Sequence, residues 1–206
     1  FLGLTPSSRL GIALIVCLLH SLVPKAANPD EGIRHFENGK YDSAVFVFQE
    51  ALRQDPGNSN LRYNLALSWF ESGNVKDALP ELQAYLEQNG KDPAARMNFG
   101  LMLFSTAEYD KAGDQFSQLF EDEYWSPMAY CYTGLCNYAM GDYKNALQNL
   151  EACEVDSAFN LKLHGLKANA ALILENLELA EHYFNKAILD DPEYSPYYLN
   201  RGIAHF

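Results

Sequence analysis

Basic residues are scarce in this sequence: 15 Lys and Arg stand against 27 Asp and Glu, for a formal net charge of −12. Phosphate-backbone binding needs clustered cations with interleaved aromatics, and no stretch supplies them, so a nucleic-acid partner is excluded. The acidity itself reads as a solvated outer surface that keeps the chain soluble. Cysteine is also sparse, with four residues. Cys17 lies near the amino terminus, and Cys131, Cys136 and Cys153 are an odd number that makes no full disulfide framework. Their spacing is not that of paired zinc ligands. The default for all three is a small buried hydrophobe, with a Cys136–Cys153 bridge between facing helices as the one pairing the sequence suggests.

Catalytic signatures are missing as well. There is no H-E-x-x-H, no G-x-S-x-G and no phosphate-cradling glycine loop. His35, His164, His182 and His205 are scattered without a recurring carboxylate beside them. The acid run Glu121-Asp122-Glu123 reads as a solvated turn rather than a metal site. No catalytic residue, metal or cofactor is therefore expected, and the chain is expected not to be an enzyme. No Asn-x-Ser/Thr sequon occurs.

Long apolar runs are absent too. The longest, Leu10 to Val23, is short of the roughly 20 residues that a membrane-spanning helix needs. Arg9 precedes it and Pro24-Lys25-Ala26-Ala27 follows, which resembles a secretory signal with its single positive charge, short apolar core and small residues. Residues 1–27 are expected to be a signal peptide, or failing that an amino-terminal anchor. Val16 stands where a lipoprotein signal carries a small residue before its cysteine, and an extra apolar helix capping the array is a further alternative. Cleavage would remove Arg9 and Lys25 and leave the chain near −14.

What the chain does have is a period of 34 residues: Ala44, Ala78, Ala112, Ala146 and Ala180 mark it, each followed four residues later by Phe48, Leu82, Phe116, Leu150 or Phe184. A fixed period of this length signals stacked structural repeats. Within a unit, apolar residues fall at helical spacing on two stripes, for example Leu61, Leu65 and Trp69, then Leu79, Leu82 and Leu86. Each unit therefore reads as two amphipathic helices joined by a short turn. Asp92-Pro93, Ser126-Pro127 and Ser195-Pro196 read as an N-cap followed by proline at the first helical position. Pro80 falls inside a predicted second helix, tolerable in its first turn and a bend elsewhere.

Together with the small first-helix residues Gly32, Ala66, Gly100, Gly134, Ala168 and Gly202, these positions resemble the tetratricopeptide repeat (TPR) family. In the second unit the pattern is Leu65-Ala66, Trp69-Phe70, Gly73, Ala78 and Leu82. The resemblance implies an all-α chain, a right-handed α-solenoid of five full units plus the first helix of a sixth. The units lie near 25–58, 59–92, 93–126, 127–160 and 161–194, then 195–206, and the array occupies 28–206. Ala107 and Glu175 stand where the turn glycine is expected and put the geometry of those two turns in question. The apolar Tyr197, Tyr198 and Leu199 lead us to expect that the natural chain continues beyond Phe206.

The resemblance also implies a binding face. Successive first helices of the family line a concave groove that holds an extended or helical peptide. Carried onto this chain, the groove residues are Tyr63, Asn64, Met97, Asn98, Met128, Tyr132 and Asn169, with the leucines between them shared between core and groove. The asparagines are expected to hydrogen-bond a partner's backbone, and Met97 and Met128 to adapt to its shape. The clamp by which some members hold a terminal carboxylate is missing, since its basic positions are Ala94, Met128 and Tyr132. The expectation is a non-enzymatic protein-interaction scaffold, exported and periplasmic or envelope-associated, with a protein or peptide partner. Membrane contact would come only through the amino-terminal segment or an envelope partner. A regulatory or substrate-recruiting arm of a longer enzyme or transport component, or a small-ligand or lipid carrier, are the alternatives.

Overall fold

The computed structural model describes residues 27–153 and 157–205; of the amino-terminal signal-like segment, residues 1–26 lie outside them. Among the described residues there are eleven α-helices and no strand. They are α1 (Pro29–Glu37), α2 (Tyr41–Gln54), α3 (Ser59–Glu71), α4 (Val75–Gln88), α5 (Pro93–Ser105), α6 (Tyr109–Ser117), α7 (Ser126–Ala139), α8 (Tyr143–Ala152), α9 (Ser157–Ile173), α10 (Leu177–Asp190) and α11 (Ser195–His205). Each packs on its sequence neighbours, and the longer-range helix pairs α1·α3 and α9·α11 join first helices of adjacent units. This nearest-neighbour pattern is that of an α-solenoid, with no single central core.

The core is a row of clusters, one per junction. Phe48 joins α1, α2 and α3 with Ala44, Leu61 and Leu65, and Phe116 joins α5, α6 and α7 with Met97, Ala129 and Cys136. Small residues set the spacing within each pair. A β-carbon on Gly32 would fall 2.7 Å from the Phe48 ring, and one on Gly134 would fall 2.7 Å from Leu150 Cγ. In the first, third and fourth units the aligned glycine and bulky residue are therefore a steric pair: backbone gives way where the bulky side chain enters.

The turns between paired helices share one conformation. Gly39, Gly73 and Gly141 have φ of +69°, +86° and +81°, and Ala107 and Glu175 adopt the same left-handed region at +62° and +59°. The helix partners on either side fix these two turns although neither residue favours them. Asp92 caps α5 by accepting from Ala95 N at 3.1 Å, with Pro93 next. The start of α7 differs from expectation: Trp125, not Ser126, occupies the cap position. Asp122 Oδ1 instead takes the Tyr124 and Trp125 amides at 3.0 and 2.8 Å, so the middle residue of the acid run organises the turn. Pro80 sits beyond the first turn of α4, and the helix runs through it to Gln88. The proline removes the hydrogen bond to the Lys76 carbonyl without ending the helix.

The cysteines also depart from the sequence reading. Cys131 of α7 pairs with Cys153 at the end of α8, and among the described residues Cys136 is the free, buried thiol. Five residues along a helix turn a side chain by about 140°. Cys131 thus faces Leu150 and Leu163, whereas Cys136 faces back into the Phe116 cluster. Burial pushes its thiol up to about 12.

Candidate functional site

The first helices carry a charge pattern that their sequence dictates and the fold gathers onto one side of each unit. Helices α5, α7, α9 and α11 contain no Asp or Glu, while each second helix, α2, α4, α6, α8 and α10, contains at least one. Two arginines of the first helices are held by the paired second helix and the preceding loop. Arg62 pairs with Glu81 of α4 at 2.7 Å and donates to the Pro56 carbonyl at 3.1 Å. Arg96 donates to Gln115 of α6 at 3.0 Å and to the Gly90 carbonyl at 2.6 Å.

Six of the seven predicted face residues are half-buried and keep an accessible edge: Tyr63, Asn64, Asn98, Met128, Tyr132 and Asn169. Met97 does not, being 2 % exposed. Its unbranched side chain is drawn into the cluster around Phe116 and Ala129, so it is a core residue and not a groove contact.

The structure links the remaining residues into a spine that crosses unit boundaries. Ile33 and Phe36 of α1 and Asn64 and Leu67 of α3 border a small pocket floored by Phe48. The Asn98 side-chain amide donates to the Tyr63 hydroxyl at 3.0 Å. Tyr63 also packs against Tyr85, with ring centroids 4.9 Å apart. Further along, Tyr132 meets Phe104 edge-on at 5.7 Å and stacks on Phe116 at 5.2 Å. The Asn169 side chain hydrogen-bonds Tyr138 and accepts from Asn200 of α11 at 3.1 Å. Asn98 and Asn169 are thus connectors between units first, with only their leftover donors and acceptors available to a partner.

Partial burial shifts the tyrosines on this face and the one beneath it. Burial raises the Tyr63 pKa, with Asn98 opposing it and Asp92 adding to it; burial alone raises Tyr132. Tyr85 donates to Asp92 at 2.7 Å, and burial together with that carboxylate pushes its pKa up to about 12.

A second polar group escaped the sequence reading. Lys167, 6 % exposed, lies 5.7 Å from the Tyr183 ring centroid, and its pKa is lowered chiefly by burial. Tyr183 donates to Glu151 at 2.9 Å, and His164 Nδ1 lies 2.6 Å from Asp190 Oδ2. The period gave no signal for it, since the same position carries Glu31, Leu65, Phe99, Thr133 and Arg201 in the other units. These contacts tie α8, α9 and α10 together. Among the described residues no cluster of His, Cys, Asp or Glu is placed to hold a metal ion, and no helix is long and apolar enough to cross a membrane.

Residues 35–102 and 161–194 match tetratricopeptide-repeat family models. No curated protein sequence matches the chain. Among solved structures, the C-terminal part of a TPR repeat-containing protein from Cytophaga hutchinsonii superposes with a TM-score of 0.70 at 18 % identity, covering 86 % of this chain and 70 % of that one. MamA from AMB-1 gives a TM-score of 0.72 at 20 % identity, covering 80 % and 90 % of the two chains. Another MamA structure gives 0.70 at 21 %, covering 82 % and 92 %. At these identities the likeness shows the shared fold.

Proposed function

Because the chain is a tetratricopeptide-repeat protein, and arrays of these repeats are protein-interaction scaffolds, we propose that it is an exported, non-enzymatic scaffold of a bacterial cell envelope. It holds an extended or helical segment of a partner protein against its first-helix face. The observation that carries this reading is the absence of any acid from α5, α7, α9 and α11 in a chain of net charge −12. An uncharged face bordered by Tyr63, Met128 and Tyr132 suits an apolar or aromatic segment, and the hydrogen-bonded contacts between units beneath it are already made before binding. Little conformational freedom is then lost on association. Export is supported by the signal-like segment ahead of Asn28 and by the Cys131–Cys153 disulfide, a bond that persists in oxidising compartments.

A photoreactive side chain at position 128 in the full chain, exposed to envelope extract, tests the face; the same label at Gln148 on the outer side of α8 is the control. The expected result is one partner segment crosslinked from position 128, lost when Tyr63 and Tyr132 are both changed to alanine. Crosslinking from position 148 alone overturns the reading. For export, cell fractionation is expected to find the protein outside the cytosol, and a full-length product confined to the cytosol sinks that part.

A further inference from the structure

The edge of the array where first helices turn into second helices changes character along the chain. At one position of the 34-residue period the first three units carry Asn38, Ser72 and Thr106; the fourth and fifth carry Met140 and Leu174. These two side chains are 46 % and 41 % exposed, and Ile173 and Leu177 beside Leu174 are 52 % and 43 % exposed. The two turns are neighbours. Tyr138 and Tyr143, which flank Met140, pack in one apolar cluster with Leu172 and Leu179, which flank the second turn. Single exposed apolar side chains are ordinary, but a contiguous group on one edge marks a surface that something covers.

The rim of this patch is acidic. Asp142, Glu175 and Glu178 are exposed around it, with Lys144 the nearby cation in sequence. Glu175 stands where three other units place glycine, and it holds φ at +59°. A glycine would take that conformation without strain; in its place Glu175 adds a carboxylate to the rim.

We propose that this edge is a second docking surface, separate from the first-helix face, for a basic amphipathic segment of a partner protein. Its apolar side chains would cover Met140, Ile173, Leu174 and Leu177, and its Lys or Arg side chains would meet Asp142, Glu175 and Glu178. The same acidic rim repels an anionic lipid surface, which makes a protein segment the occupant that the charges favour.

Fluorescence anisotropy on the full chain tests this with a synthetic amphipathic helix of leucine and lysine, the same helix with glutamate for lysine, and phosphatidylglycerol vesicles. The lysine peptide is expected to bind saturably and the other two not at all. Leu174→Ser with Leu177→Ser alters no charge and is expected to weaken binding about tenfold or more. Glu175→Gly is expected to weaken it while raising thermal stability, and Phe46→Ser, at an exposed apolar residue of α2 outside the patch, to leave it unchanged. Unaltered affinity in the double serine variant, or equal binding of the glutamate peptide, overturns the proposal; vesicle binding overturns it in favour of a lipid surface. Should the double variant lose helix by circular dichroism, Ile173→Ser and Glu175→Gly carry the same comparison.

Discussion

Asn98 donates its side-chain amide to the Tyr63 hydroxyl at 3.0 Å, joining two first helices that are 35 residues apart in sequence. A part-buried hydrogen bond of this kind contributes about 1 kcal/mol, and its two partners are coupled. Tyr63→Phe and Asn98→Ala should each lower stability by about that amount, and the double variant by less than the sum. Urea denaturation of the four proteins of the cycle measures this, and strict additivity would show that the bond does not couple the units.

A β-carbon on Gly100 would lie 2.5 Å from Phe116 Cε1, in a cluster where Phe116 is fully buried. Overpacking at such a site destabilises by about 1–3 kcal/mol. Gly100→Ala should therefore lower the melting temperature despite alanine's better helix propensity, as thermal circular dichroism would show. A rise would mean that α5 and α6 can separate freely.

Ala107 and Glu175 hold the left-handed conformation that glycine provides in three other turns. Relieving it is worth about 1 kcal/mol per residue. Ala107→Gly and Glu175→Gly should each raise stability, whereas Gly73→Ala should lower it. Chemical denaturation of the three variants gives the signs directly.

The Cys131–Cys153 bond closes a loop with a sequence separation of 22 residues. Loop-closure entropy for that length corresponds to about 3 kcal/mol. Reduction, or Cys131→Ser with Cys153→Ser, should lower stability by about that much. In the oxidised protein Cys136, its thiol held up at about 12 by burial, should react with an alkylating reagent only after unfolding. Mass analysis of alkylated peptides with and without reductant checks both statements.

Tyr85 is held protonated up to about 12 by burial and by Asp92. An unfolded tyrosine ionises near about 10. Between those values the native state keeps a proton that the unfolded chain has released, so stability falls as pH rises through that window. Tyr85→Phe should be less stable at neutral pH by about 1 kcal/mol for the lost bond to Asp92, and should lose less stability on moving to alkaline pH. Denaturation midpoints at about pH 8 and about pH 11 compare the two slopes.

The repeat, the helix pairs and the residues that set their spacing were legible in the sequence, because a steric pair such as Gly100 and Phe116 must recur wherever two helices meet at the same distance. The absence of acids from α5, α7, α9 and α11 was legible too, because it follows from the residues that lie between the turns. The site was only partly readable. Met97 occupies the same period position as Tyr63, yet one turns into the core and the other keeps an accessible edge.

The sequence by itself determined an all-helical array of 34-residue units whose third to sixth first helices carry no acid. Tertiary structure decided which side chains on that series remain free, that Cys131 and not Cys136 meets Cys153, and that Ala107 and Glu175 take a glycine's conformation. A period fixes each residue's place within its unit. The angle and distance to the neighbouring unit fix what it touches, and those arise only when all the packed side chains are accommodated at once.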